Sequence, residues 1–490
     1  MRQSIRMSKR FGKAAAAIAS AVVIIHAPAA AQSIPSETWM GIYLGSAKIG
    51  YTKFSIDNAS FRSTPGYRLD NTSVINVLVL GHEVRQSFDT SVYLNKEFEP
   101  IHEVFKMSSA GNTTTVTARF YAEEIVARVE TERSSSTTRI PIPSGSKITI
   151  EDNAFLPPGV KLEVGDTLDF KCFDPLDVSL DDVHTEVLRE EEIELGGEKH
   201  KTFVIRSETS RGETVCWQDE KGNLLKMTTI MGTTMIREPK ETAKSFPTDA
   251  GVHTPPDLAV MTSARTTTKI PNPREVKYMK VRLSGLVGEP LLINDRRQKV
   301  TFSNGDDANA EYEIKASEFD PAKAVSLPVK ELQEFLADSP YVQPTNPEIL
   351  AAAKEIVGDE KNAYKAVSRL RAWVGRNIES KGDIGILRSS VDLLHAKTGV
   401  CRDCALLYTA LARAAGIPTK FVAGLMYWKD GFYYHAWAES FVGEWIPVDA
   451  TLPTDFVDAT HIKLAEGDTT ALFDAAKTVG SLKAEILEFK

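Results

Sequence analysis

Between Glu37 and about Lys244 the apolar positions come in short runs with partial alternation, as in TWMGIYLG, KIGYTKFSI, TSVINVLVL, TTTVTARFY and IVARVETE. These runs are rich in β-branched and aromatic residues and are joined by polar turns, a period-two pattern that predicts strands. Helical periodicity is nearly absent there. Regular strand spacing predicts an antiparallel sandwich, a barrel or a curved open sheet over residues 32–245, and leaves the choice among them open. In SFPTDAGVHTPPDLA, proline, glycine and small polar residues replace the strand pattern, so a linker is expected over 246–262. EVKYMKVRLSGL, PLLINDRRQKV and AEYEIKAS are strand-like again. They predict a small β module over 263–328, either separate or lying as a lid against the last domain.

From Val329 the apolar period changes to that of a helix. Leu332, Phe335 and Leu336 fall on one short face, and Ala366, Val367, Leu370, Trp373 and Val374 on a longer one. An α+β domain is expected over 329–470, followed by a C-terminal tail, 471–490. A short helix in SSVDLLHAKTG leads into GVCRDCALLYTALARAAGIPTKF, where Leu407, Ala410, Leu411 and Ala414 keep helical spacing until Gly416 and Pro418 stop it. Cys401 therefore falls at a helix N-terminus, where unpaired backbone amides and the helix dipole favour a thiolate. A small buried apolar cysteine is the competing reading. Next come a strand, KFVAGLMYW, a turn at Lys429-Asp430-Gly431, and FYYHAWAESF with His435 in mid-strand. WIPVDAT then places Asp449 after an apolar strand. Taken singly, His435 reads as a half-buried strand residue and Asp449 as a turn former.

A cysteine at a helix start, then a histidine, then an aspartate on successive antiparallel strands is the order that a nucleophile, base and orienter require. The segments GVCRDCA, HAWAE and VDAT resemble the three core motifs of the transglutaminase-like superfamily over roughly residues 330–455. The resemblance implies a papain-like catalytic domain with Cys401 as the acyl-accepting nucleophile, His435 as base and Asp449 as third member. It implies acyl transfer from a protein or peptide carboxamide to water or to an amine, that is, a cysteine protease or amidase, or a transglutaminase. No cofactor or metal is implied, and calcium dependence is not carried over. Where the animal cross-linking enzymes have tryptophan after the nucleophile, this chain has Arg402-Asp403, a pattern closer to the exported bacterial branch. The competing class is a non-catalytic cell-envelope binding protein that retains the scaffold.

The hairpin between the last two strands carries a geometric expectation. With a two-residue loop at Gly443-Glu444, Asp449 would oppose Ala438 and point away from the face that His435 shares with Trp437 and Glu439. The triad therefore requires a three-residue loop, Val442 to Glu444, or a bulge, either of which sets Asp449 opposite Trp437.

Cys401 and Cys404 also form a C-x-x-C. A redox reading would need a preceding βαβ pattern and a zinc reading two further spaced ligands, and the sequence has neither. Cys404 is expected to pack inside the helix or to form a reversible disulfide with the nucleophile, and Asp403 to serve structurally in the first turn. Cys172 and Cys216 lie in one β-rich region, and whether they pair stays open. Tyr427, Trp428, Tyr433 and Tyr434 either line the cleft or pack in the sheet.

Charge and the first residues set the setting. MRQSIRMSKRFGK followed by AAAAIASAVVIIHAPAAA is a secretory signal pattern, with cleavage expected after Ala31 and an uncleaved anchor as the alternative. The apolar run is short and alanine-rich, so no stable membrane span is expected after cleavage, and the chain is expected in the periplasm or outside the cell. Segment 1–31 holds Arg2, Arg6, Lys9, Arg10 and Lys13 and no acids, so its loss takes the formal net charge from −8 to about −13. An acidic chain without a basic patch argues against nucleic acid and leaves a protein or peptide as the expected partner.

Overall fold

The computed structural model describes residues 34 and 36–490 apart from 150–160, 211, 230–231, 246–254, 287–291, 304–308, 382–384, 477 and 479–481. The expected signal segment, 1–31, and most of the expected linker lie outside the described residues.

The N-terminal β region is a single sheet of 15 strands among the described residues. Two antiparallel meanders, one running from Ser36 to Pro141 and the other from Thr167 to Arg237, meet where the first strand, Ser36–Leu44, pairs with the last, Thr233–Arg237. The order leaves two edges, Ser135–Pro141 and Ile148–Thr149. Of the three expected architectures, the sheet thus takes the open one, because the outermost strands pair with their sequence neighbours and not with each other. Thr167–Asp174, which carries Cys172, is separated from Gly212–Gln218, which carries Cys216, by two intervening strands. Cys172 pairs with Asp181 while Cys216 pairs with Ile205, itself opposite Val187. Three strand steps of about 4.8 Å and this offset along the strands place the two beyond disulfide reach.

The α+β domain forms as expected around the helix Cys401–Ala414, which lies against a five-stranded sheet. That sheet contains Thr419–Trp428, Gly431–Phe441, Trp445–Val448 and His461–Gly467, and also Ala264–Arg265 from the segment read as the start of the separate module. Leu406, Leu407, Tyr408, Ala410 and Leu411 of the helix are fully buried. The Tyr408 hydroxyl meets Ser440 Oγ at 2.7 Å, and Ser440 meets Thr419 Oγ1 at 2.9 Å. With no exposure at any of the three, this buried hydroxyl chain fixes the helix against two strands, each bond contributing about 1 kcal/mol net. Two further helices, Pro347–Val357 and Ala363–Asn377, cover the cysteine helix, each N-capped by an asparagine side chain, Asn346 and Asn362. The first of these was not singled out in the sequence, although Asn-Pro at its start is a capping signal.

The module over 263–328 is not closed on itself. Tyr278–Ser284, Gln298–Ser303 and Asn309–Lys315 form a four-stranded sheet with Lys483–Phe489. The expected tail, 471–490, thus contains a helix, Ala471–Ala476, and an edge strand. The alternation of Ala484 and Ile486 against Leu283 and Val281 drives that pairing, because it completes a buried face. The N-terminal sheet packs on the loop before the cysteine helix. Thr114 Oγ1 donates to Leu387 O at 3.2 Å, the Arg133 N–H donates to Asp392 Oδ1 at 2.9 Å, and Phe105, Val116 and Ile125 share one apolar core with the α+β domain.

Replacing Ile486 by alanine should lower the free energy of unfolding by about 2 kcal/mol or more, read from urea denaturation. A free tail at this position would leave the urea midpoint unchanged.

Candidate active site

Cys401 is the first residue of its helix and is half-buried. The turn is built by Asp403, whose Oδ2 accepts the Val400 N–H at 3.2 Å and the Arg388 guanidinium at 2.8 Å, with only 1 % of its side chain exposed. Arg388 also donates to Thr398 O at 2.9 Å, so one acid caps the helix and ties the incoming chain to it. Asp403 is structural, as expected. A Cβ at Gly399 would lie 2.7 Å from Asp403 Cβ, so only glycine lets the chain pass. Cys404 faces inward and is 6 % exposed, and burial pushes its thiol pKa well up.

The histidine strand, Gly431–Phe441, has an interrupted outer edge. Ala264–Arg265 pairs with Phe432 and Gly431, Trp445–Val448 pairs with Phe441 to Ala438, and among the described residues Tyr433 to Trp437 have no strand partner on that side. The thiol of Cys401 sits against this gap, in contact with the His435 side chain and the backbone of Ala436. An edge amide with no ladder partner is free to face the sulfur.

The hairpin has the three-residue loop: Phe441 pairs with Trp445, Ala438 pairs with Val448, and the Val442 N–H closes on Glu444 O at 3.0 Å. Continuing that register brings Asp449 beside Trp437, and Asp449 Oδ2 lies 2.8 Å from His435 Nε2. Its other oxygen, Oδ1, accepts the Thr451 N–H at 2.8 Å and the Thr451 hydroxyl at 2.6 Å. The loop after Asp449 is pinned by Arg371, 8 % exposed, which donates to Leu452 O and Asp455 Oδ1. Gly375 lets the same helix approach Ala450 O, 2.7 Å from where a Cβ would stand. Gly424, opposite His435, leaves room for the Trp437 ring and Ile462 O, which an added Cβ would meet at 2.8 and 2.1 Å.

The charges reinforce one another. Burial opposes a thiolate at Cys401, but the imidazolium charge and hydrogen bond of His435, with the Ala436 amide, outweigh it and lower the pKa. Burial likewise opposes an imidazolium at His435, yet Asp449 and then Cys401 raise its pKa to about 10. Asp449 stays ionised: despite its burial, His435 and His461 hold its carboxyl far below the usual range. The three expected residues thus converge, and a thiol beside an imidazole bound to a carboxylate is the set that activates a sulfur nucleophile.

Sequence reasoning missed the second histidine of the site. His461, fully buried, approaches Asp449 Oδ2 with Nε2 and Asp458 Oδ1 with Nδ1, both at 3.3 Å. Asp458 in turn pairs with Arg274 at 2.8 Å. The buried aspartate at the start of DATHIKL was the available signal, but nothing in its spacing points to Asp449. His435, Asp449 and His461 bring three ligand-type atoms together. The 2.8 Å contact of His435 with Asp449 has the length of a hydrogen bond. Of the aromatic residues, Tyr427 is buried and accepts the Ile270 N–H, and Trp428 is half-buried at the hairpin end, edge-on to Tyr433.

Together the fold and this geometry define a transglutaminase-like, papain-type cysteine core in the C-terminal part of the chain. Residues 350–450 match the family described as "Transglutaminase-like superfamily", and residues 40–237 match "Protein of unknown function (DUF3108)". A protein of Mycobacterium leprae (strain TN), "Uncharacterized protein ML0607", is 28% identical over 161 residues, covering 31% of this chain and 56% of its own length. The chain thus spans about half of that relative. Among solved structures, a candidate cysteine protease from Cytophaga hutchinsonii is 19% identical, covers 44% of this chain and 86% of its own, and has a TM-score of 0.32. A β-barrel-like DUF1849 protein from Brucella abortus is 10% identical, covers 42% and 94%, and has a TM-score of 0.30.

The depressed pKa of Asp449 gives a signed expectation. The stability it supplies is complete above the ordinary carboxyl value of 3.8 and is lost as the pH falls toward its folded value. The advantage of wild type over Asp449→Asn in thermal unfolding should therefore be constant between about pH 4 and the ordinary histidine value of 6.5, shrink below that window as the carboxylate is protonated, and shrink above it as His435 loses its proton through its raised value of about 10.

Proposed function

We propose that the protein is an exported cysteine acyl-transfer enzyme that forms a thioester on a protein or peptide carboxamide or amide. The observation that carries this reading is the convergence of the half-buried Cys401 with His435 and Asp449 at an open stretch of strand edge. Cys401 is the nucleophile, His435 the base and Asp449 the orienter. The thiolate attacks the carbonyl carbon, and a sulfur–carbon bond forms. His435 gives its proton to the leaving nitrogen as the carbon–nitrogen bond breaks, and an amine departs. Water or a second amine then attacks the thioester, loses its proton to His435 and returns the sulfur as thiolate. The backbone N–H of Cys401, at the helix start, is the expected donor to the transient oxyanion. Water yields a protease or amidase, an amine a transglutaminase. The site belongs to the periplasm or the cell exterior, in keeping with the signal-like first 31 residues.

The scaffold-only reading is weakened by an imidazole in contact with the thiol, an arrangement that burial alone would disfavour.

The test is iodoacetamide alkylation of Cys401 as a function of pH, read by peptide mass spectrometry, in reduced wild type and in His435→Ala. An ordinary thiol reacts with a midpoint of about 8.5. We expect wild type to react well below that and His435→Ala to return to it. Identical ordinary profiles would overturn the assignment. Once the pair is established, ammonia release from glutamine peptides with and without an added primary amine separates hydrolysis from transfer.

A further inference from the structure

Asp449 is shared. Its Oδ1 is fixed twice by Thr451, at 2.8 and 2.6 Å, so the carboxylate has an orientation that does not depend on histidine. Its Oδ2 nevertheless meets two imidazoles, His435 Nε2 at 2.8 Å and His461 Nε2 at 3.3 Å. The His461 ring is 0% exposed and lies edge-on to both His435, with centroids 5.6 Å apart, and Trp437, 5.5 Å apart. Its other nitrogen faces Asp458 Oδ1. Carboxylates only accept, so the contact with Asp449 is made when His461 Nε2 carries the proton.

The charged groups around this ring are few. Asp449 follows the strand Trp445–Val448, His435 lies on the neighbouring strand, and Asp458 precedes His461 on its own segment. Arg274 neutralises Asp458 from the turn Pro273–Glu275. Arg297, from the loop before the strand Gln298–Ser303, donates to the carbonyls of Asp458 and His461 at 2.7 and 2.9 Å and fixes the segment.

We propose that His461 is a positioning residue of the triad that acts through Asp449, drawing part of its negative charge away from His435 so that His435 can release its proton to a leaving group. This rests on the catalytic reading of Cys401 and His435. A buried imidazolium paired with an undivided carboxylate would hold its proton too tightly to act as an acid near neutral pH. A second donor on the same oxygen weakens that hold without moving the carboxylate, since Thr451 keeps it in place.

The test is the alkylation profile of Cys401 in the full-length mature chain, comparing wild type with His461→Leu and with the smaller His461→Val, neither of which can donate to Asp449, alongside their thermal unfolding. Removing the donor leaves Asp449 wholly to His435, so the thiolate–imidazolium pair should become easier to form. The midpoint should move to lower pH, with roughly fivefold faster alkylation one pH unit below the wild-type midpoint for a one-unit shift. A purely structural role predicts a lower unfolding temperature with the midpoint unchanged. An unchanged midpoint, or one moved to higher pH, in either folded variant would overturn the proposal. The two failures are distinguishable: a wild-type midpoint near 8.5 would remove the triad itself, whereas an acidic wild-type midpoint that His461 does not influence would remove only the charge sharing.

Discussion

The site depends on one backbone constraint, the incomplete pairing of the histidine strand along its outer edge. Short strands cover that edge at both ends, and among the described residues the five between them have no strand partner on that side. In a closed sheet the helix start could not bring a thiol against the strand, because ladder bonds would occupy the space. With the gap, Cys401 meets His435 and the Ala436 amide at once. The same gap sets the length of Trp445–Val448, which pairs only to Ala438 and then releases the chain so that Asp449 can turn toward the imidazole.

Rigidity around the gap comes from groups with no part in the chemistry. Asp403 and Arg388 hold the helix start, the hydroxyl chain of Tyr408, Ser440 and Thr419 holds the helix body, and Arg371 with Gly375 holds the loop after Asp449. Each acts where a displacement of about 1 Å would separate reacting groups. The N-terminal sheet contributes too, since its contacts with Leu387 and Asp392 brace the loop that Arg388 leaves. A β region that looks in sequence like an independent module is therefore one wall of the frame that holds the cysteine.

Much of this was legible in the sequence for a definite reason. Cys401, Asp403, Gly416 and Pro418 signal a helix start and stop through local capping chemistry, and the strands around His435 alternate strongly. Even the face of Asp449 followed from counting residues in a hairpin, because a strand has period two and a one-residue change of loop inverts every side chain. The expectation of export rests only on composition at the N-terminus, outside the residues the structure describes.

Other features arise from long-range pairing, which leaves little local trace. The strand Lys483–Phe489 looks like a tail because its partner, Tyr278–Ser284, lies about two hundred residues earlier, and Ala264–Arg265 joins the catalytic sheet across a similar span. His461 belongs to the same class. Its neighbours in sequence say nothing of Asp449, and only the pairing of Met426 with His461 carries it to the face of the sheet where His435 and Trp437 stand. The sequence alone determined which residues are the candidates for the chemistry and in what order they stand, since helix starts and strand periods are local. Tertiary structure alone decided which distant groups share the charge of Asp449, because that depends on where non-adjacent strands meet.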